Sequence, residues 1–254
     1  MKKTVKVRGI TIGEGAPKIC VPIVGETIAQ LEEEAELLKS IDLDIVEWRV
    51  DFFKEVEDIE KVKEALHRIR AILSDAPLIF TFRSAKEGGE REIASEYYFN
   101  MNKEIARTGL IDIVDAELFS NEHEIVTLVE EAHQNKVFVI VSNHDFEKTP
   151  VKEEIIARLQ KAQDLGGDIP KIAVMPNSTE DVLVLLEATN IMHEKYAKGP
   201  IITMSMAGTG VISRLAGEVF GSALTFGAAK KASAPGQVPV SELRNILNLI
   251  HAGL

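Results

Sequence analysis

The feature that most constrains this chain is an eightfold alternation of apolar, β-rich runs with helix-patterned segments. The runs are KICVPIV (18–24), DIVEWRV (44–50), LIFTFR (78–83), IDIVDAE (111–117), VFVIVSN (137–143), IPKIAVM (169–175), PIITMSM (200–206) and ALTFGA (223–228). Between them lie segments such as ETIAQLEEEAELLKS (26–40), EDIEKVKEALHRIRAIL (57–73) and VKEEIIARLQKAQDL (151–165), whose apolar residues fall at helical spacing. Helix starts are expected at Ser120, Pro150 and Ser178, and helix ends at Gly109, Gly166 and Gly199. Strand–helix alternation predicts a parallel sheet, and eight repeats in 254 residues match a closed (β/α)8 TIM barrel, with an open doubly wound sheet as the alternative. The opening VKVRGITIGEG reads as a β-hairpin outside the repeat. With no low-complexity linker, residues 1–254 read as a single (β/α)8 barrel domain.

Composition narrows the function. The net charge is −11, so nucleic acid and anionic membranes are poor partners, and an anionic substrate needs a local cationic site. There is no run of 18 apolar residues, and the basic start lacks the apolar stretch of a signal sequence. The one cysteine, Cys20, allows no internal disulfide and reads as a small buried hydrophobe. These features point to the cytoplasm.

Strand parity then locates the chemistry. Side chains alternate across a strand, so Ile45, Glu47, Arg49 and Asp51 share one face and Val46, Trp48 and Val50 the other. The same split sets Thr81 and Arg83 against Phe80 and Phe82, Asp115 and Glu117 against Val114 and Ala116, Ser142 and His144 against Val139 and Val141, and Lys171 and Ala173 against Ile172 and Val174. The apolar faces would meet the outer helices, and the ionisable faces the barrel interior. Barrel active sites form at the C-terminal strand ends. One buried charge is as readily a structural ion pair as a functional group, whereas Glu47, Arg49, Arg83, His144 and Lys171 converging together point to a site.

Lys171 is the most telling of these, because lysine is almost never buried without a purpose or a partner. Desolvation and neighbouring cations favour a neutral amine, which can attack a carbonyl and form a Schiff base. The iminium acidifies the adjacent C–H, so a base is needed. His144 is the candidate, since an imidazole ordinarily titrates near 6.5, and Glu87 is a carboxylate available to orient it. Arg214, delivered by MAGTGVISR (206–214), is a bidentate donor suited to a carboxylate. KKASAPGQVP (230–239) reads either as a plain connection or as a loop over the barrel mouth, with Ser233 and Gln237 as uncharged hydrogen-bonding groups. No histidine pair has metal-ligand spacing and no convergent ligand set is visible, so no metal and no cofactor are expected. GEG (13–15) and GG (88–89) are weak phosphate-loop signals.

Taken together, EWRVDFF, TFRSAKEGGE, VSNHDFEKTP, IPKIAVMP, ITMSMAGTGVISR and FGSALTFGAAKKASAPGQVP resemble the type I 3-dehydroquinate dehydratase family of the shikimate pathway, in the family's order and over nearly the whole chain. The resemblance implies a (β/α)8 barrel with an N-terminal hairpin closing its base. It also implies metal-free dehydration of 3-dehydroquinate to 3-dehydroshikimate through an imine. It makes Lys171 the imine-forming lysine, His144 the general acid/base and Glu87 its positioning carboxylate. Arg214 becomes the binder of the substrate carboxylate. Glu47, Arg49, Arg83, Ser233 and Gln237 become polar contacts to the ring hydroxyls, and Met204, Met206 and Phe226 apolar walls. Pro22 stands where some members carry a serine, and Gly208 where a lysine is common. The implied partner is a small-molecule substrate, with room for a homodimer. Two other readings stay open: a Schiff-base aldolase on the same fold, and a barrel that binds a polyhydroxy acid without turning it over.

Overall fold

The computed structural model describes residues 3–229 and 237–254. Two short strands, β1 (Val5–Val7) and β2 (Ile10–Ile12), pair antiparallel with Val5 opposite Ile12. Their two-residue turn places Arg8 at φ 42° and Gly9 at φ 84°, the positive-φ pair that matches the twist of a tight hairpin. Left-handed backbone is unusual for arginine. Arg8 is held there by donating from Nε to Asp112 at 2.8 Å and from an Nη to the Ser74 carbonyl at 2.9 Å.

The eight predicted runs are all strands: β3 (Lys18–Ile23), β4 (Ile45–Arg49), β5 (Leu78–Thr81), β6 (Ile113–Glu117), β7 (Phe138–Asp145), β8 (Ile169–Val174), β9 (Ile202–Ser205) and β10 (Leu224–Ala228). From β3 to β9 each pairs in parallel with the next, and β10 pairs in parallel with β3. The β9–β10 seam is the thinnest, with one bridge, Ile201 to Ser222, and the Ala223 N–H donating to Ile201 at 2.8 Å. The Ser222 hydroxyl adds a contact by accepting from the Thr203 N–H. A two-residue strand, β11 (Val238–Pro239), pairs with the end of β10.

Helices α1 (Ile28–Leu38), α2 (Ile59–Ile72), α3 (Ser95–Arg107), α4 (Glu122–Gln134), α5 (Lys152–Asp164) and α6 (Thr179–Ile191) follow the first six barrel strands. Two short helices, α7 (Val211–Leu215) and α8 (Gly217–Phe220), fill the seventh position, and α9 (Val240–His251) the eighth. Ser178 caps α6 in a reciprocal capping box with Asp181. Two expected starts are displaced. Asn121, not Ser120, caps α4, because its side chain reaches the Glu124 N–H, and α5 begins at Lys152 with Val151 as the flanking residue. Gly109 and Gly166 end α3 and α5 at φ 69° and 94°. No helix among the described residues is long and apolar enough to cross a membrane.

Parity builds two apolar layers. Val21, Trp48, Phe80, Val114 and Val139 point outward and pack beneath the helices. Inside, Ile45, Ile79, Ile113, Ile140, Ile169 and Ile202 come from the N-terminal parts of their strands and meet Val5, Val7 and Ile12 of the hairpin. Burying each such side chain is worth about 1.5–3 kcal/mol, so the hairpin plugs the N-terminal end with a hydrophobic disc. Above that disc the interior becomes polar, and the site begins there.

Candidate active site

One level above the isoleucines lie Glu47, Thr81, Asp115, Ser142 and Lys171, all buried. Arg49, Arg83, Glu117 and His144 stand one level higher, as two-residue strand periodicity requires. Register places Ser142 opposite Lys171 and His144 opposite Ala173, so the imidazole stands on the neighbouring strand, one step above the amine. A cavity of about 660 Å³, partly open to solvent, is walled by Lys171, His144 and Glu87, by Glu47, Arg49, Arg83, Arg214 and Gln237, and by Met204, Met206 and Phe226. This collects every candidate side chain named from the sequence except Ser233, which lies outside the described residues. Ala173, Phe146 and Gly88 complete the wall.

Lys171 Nζ sits 4.6 Å from the centre of the Phe226 ring and 3.8 Å from Asp115 Oδ2. It is therefore held over an aromatic face with a carboxylate at the edge of salt-bridge range. Asp115 is shared. Its Oδ1 accepts from Arg83 at 2.7 Å and from the Ser142 hydroxyl at 2.7 Å. Arg83 also donates to Glu117 at 3.0 Å. Burial pulls the Arg83 guanidinium down, but Asp115, Glu117 and Glu87 outweigh it and hold the group firmly charged. Arg49 is clamped in bidentate fashion by Asp51, both bonds 2.8 Å. Glu47 accepts from the Thr81 hydroxyl at 2.9 Å.

Glu87 reaches His144 because of its loop. The chain turns through a single helical turn, Ala85–Glu87, and then two glycines. Gly88 has φ 83°, and a Cβ there would lie 2.3 Å from the Phe146 ring. A Cβ on Gly89 would lie 1.8 Å from the Arg83 carbonyl oxygen. The glycine pair thus serves close packing and not a phosphate. Glu87 Oε2 lies 3.0 Å from His144 Nδ1 and also accepts the His144 backbone N–H at 3.0 Å. The spacing is that of a salt bridge, yet burial pushes His144 well below its ordinary value, and the Arg83, Lys171 and Arg49 cations push it further. The imidazole is therefore neutral, and the contact is a hydrogen bond inside a pair that titrates as a unit. Burial, with Glu117 and Asp115 nearby, pushes Glu87 up to about 8, against the pull of Arg83 and the Asn143 amide. The reactive form is the pair with a single proton, reached above that titration: Nδ1–H then donates to the carboxylate and Nε2 keeps its lone pair.

That shift predicts a stability signature. Glu87 titrates higher folded than its ordinary 4.5, so between about 4.5 and 8 the folded chain holds a proton the unfolded chain has lost. Its contribution is intact below that window and declines as pH rises through it. Glu87→Gln removes the titration. The stability difference between variant and native chain should move in the variant's favour from pH 5 to 8, by up to about 1.4 kcal/mol per unit. Urea unfolding at four pH values measures it, and parallel stability–pH curves would contradict it.

Arg214 is placed by α7, which docks against the end of β9. A Cβ on Gly210 would meet the Ser205 carbonyl oxygen at 2.3 Å, and the Ser213 hydroxyl accepts the Ser205 N–H at 2.8 Å. Burial lowers Arg214 to about 10, which leaves it cationic at neutral pH. Cys20 is fully buried below the polar level, where burial and then Glu47 push its thiol upward, as an inert core residue requires. Pro22 is buried opposite Glu47 but borders a neighbouring hollow with Val24 and Gln30, and Gly208 faces open space. Among the described residues no group of three His, Cys, Asp or Glu side chains is arranged to hold a metal ion.

Sequence reasoning placed Asp51, Asp115, Glu117 and Ser142 on the inward face but gave them no task. They neutralise and orient Arg49 and Arg83. Asn143 was not visible at all, because it occupies the outward parity. The amide nevertheless donates to Glu87 Oε1 at 3.3 Å.

Residues 19–253 match the family model for type I 3-dehydroquinase. The 3-dehydroquinate dehydratase of Bacillus licheniformis is 63% identical over 254 residues, the whole of both chains. That of Listeria innocua is 65% identical over 251 residues, covering 99% of each. Among solved structures, the type I 3-dehydroquinate dehydratase of Clostridium difficile with covalently modified comenic acid superposes with a TM-score of 0.98 at 59% identity, covering the whole of both chains. With a closed eight-stranded barrel, a polar cavity at its C-terminal end and a match over nearly its full length, this chain belongs to the type I 3-dehydroquinase family.

Proposed function

We propose that this chain dehydrates 3-dehydroquinate to 3-dehydroshikimate as a one-domain cytoplasmic enzyme, through an imine on Lys171. The observation that carries this reading is the arrangement around one cavity: an amine, an imidazole one step above it on the adjacent strand, and a buried guanidinium from α7. Arg214 binds the substrate carboxylate, and an anion there offsets the cost of burying the cation. That anchorage presents the ring ketone to Lys171 Nζ. The Lys171 amine adds to the carbonyl, and loss of water gives the iminium.

His144 supplies the proton transfers. Its Nε2 lone pair removes the C2 proton that the iminium has acidified, and the imidazolium then protonates the departing hydroxyl. Glu87 holds Nδ1–H through both steps and stabilises the transient cation. Glu47, Arg49, Arg83 and Gln237 bind ring hydroxyls, with Ser233 as a further polar contact that the family resemblance implies. Met204, Met206 and Phe226 exclude water from the ring face. Hydrolysis of the product iminium returns free Lys171.

The test is direct. Mixing the chain with 3-dehydroquinate should produce the ultraviolet absorbance of a conjugated enone, with no carbon–carbon cleavage products. Binding without absorbance change would favour a barrel that only holds the acid, and cleavage products would favour an aldolase.

A further inference from the structure

The Asn143 side chain leaves the barrel on its outer face and is met there by an arginine. Arg158, on α5, donates from Nη1 to Asn143 Oδ1 at 2.9 Å. Arginine has donors only, so the amide oxygen must face it. The amide nitrogen is thereby turned toward Glu87, where it donates to Oε1. Glu87 can then accept on both oxygens, Oε1 from Asn143 and Oε2 from the His144 backbone and ring. An unbroken chain of hydrogen bonds runs from an outer helix, through the barrel wall, to the imidazole. We propose that Arg158 and Asn143 are positioning residues for the reaction: Arg158 fixes the Asn143 amide, which keeps Glu87 an acceptor and so keeps the His144 proton on Nδ1.

Arg158 is itself held in place. Nε donates to Glu154 at 2.8 Å, Asp145 lies 3.5 Å from Nη1, and the guanidinium sits 5.2 Å above the Phe119 ring. Its charge is answered by those two carboxylates, so its effect on Glu87 is delivered by amide orientation more than by long-range field. Glu87 is faced by Arg83 from the end of β5, by Asp115 and Glu117 from β6, and by His144 from β7. Three of these four neighbours are acids or a base competing for the same proton. A neutral donor in a fixed orientation decides where that proton rests. If the amide turned over, its oxygen would meet Oε1 and favour a proton there, and the neutral acid would be a weaker acceptor at Oε2. The hold on Nδ1–H would loosen, the ring could carry its proton on Nε2 instead, and the base would be lost.

The proposal rests on His144 as the base, so its test needs a readout that does not depend on turnover. Nitrogen-15 chemical shifts of the ring, assigned by comparison with His144→Ala, report which nitrogen is protonated. The native chain should show the Nδ1–H form above the titration of the pair. Arg158→Met should shift the ring toward Nε2–H, lower kcat about tenfold with KM within about twofold, and move the acidic limb of kcat/KM upward by about half a unit or more. Arg158→Lys keeps one donor for Oδ1 and should recover most of kcat. Asn143→Asp, nearly isosteric, puts a like charge beside Glu87 and should raise the limb further. A native tautomer and an unmoved limb in both Arg158→Met and Asn143→Asp would overturn the proposal, whether or not stability had fallen. Full activity in His144→Ala would instead remove the base assignment, with the tautomer result still standing by itself.

Discussion

Lys171→Met is expected to abolish dehydration while leaving the barrel folded. Methionine matches the unbranched shape of lysine and suits the apolar side of the position, where Phe226 and Ala173 lie. The acid left behind keeps a charge partner, because Asp115 Oδ1 retains its 2.7 Å bonds to Arg83 and Ser142, while Oδ2 loses Lys171 Nζ at 3.8 Å. What disappears is the only nucleophile the mechanism uses. Without an imine the C2–H is no more acidic than in an ordinary ketone, and the barrier to proton loss rises accordingly. Loss of a covalent nucleophile of this kind costs on the order of 10⁴-fold or more in kcat. Binding should survive, since Arg214, Arg49 and Gln237 are untouched. Calorimetric titration with 3-dehydroquinate alongside the enone assay separates the two. Residual turnover within tenfold of native would show that the ketone reacts without covalent attachment.

His144→Ala carries the second large effect. Imine formation, C2 deprotonation and departure of the hydroxyl each move a proton, and Lys171 is occupied after the first. Arg49, Arg83 and Arg214 are cations at working pH and cannot serve as bases. Glu87 is engaged behind the imidazole by the His144 and Asn143 donors, so it is poorly placed to replace it. The ring, held neutral by burial and by the surrounding cations, is a base on arrival of substrate and an acid afterwards. Its removal should lower kcat by about 10²–10⁴-fold, the usual worth of general acid–base catalysis. Lys171 should still attach slowly to substrate, so a covalent complex accumulates in this variant. Turnover close to native would shift the role to Glu87.

The barrel was legible because parallel strands carry their pattern on both faces. Outward Val, Trp and Phe residues contrast with inward Ile, Glu, Arg and Lys in the same runs, and all eight runs became strands. Lys171, His144 and Glu87 were legible for the same reason, helped by the family resemblance. Other features left no trace in a linear reading. Two carboxylate partners of Arg83 sit on β6, 32 and 34 residues away, so that pairing depends on strand order and not on spacing. Gly88 and Gly89 look like a loop signal until Phe146 and the Arg83 carbonyl are seen to occupy the space of a side chain. Asn143 was hidden by parity itself, since an outward polar residue reads as a contact with the helices. Its neighbour Arg158 reads as one more charge on an amphipathic surface. Both gain meaning only when α5 is docked against β7.

The central claim is a covalent bond to one lysine. It is tested most directly by reducing the chain with borohydride in the presence of 3-dehydroquinate, then digesting it and locating the added mass by mass spectrometry. The account predicts a single adduct on the peptide carrying Lys171, absent without substrate and absent in Lys171→Met. An adduct on another lysine, or none while the enone is being formed, would contradict it.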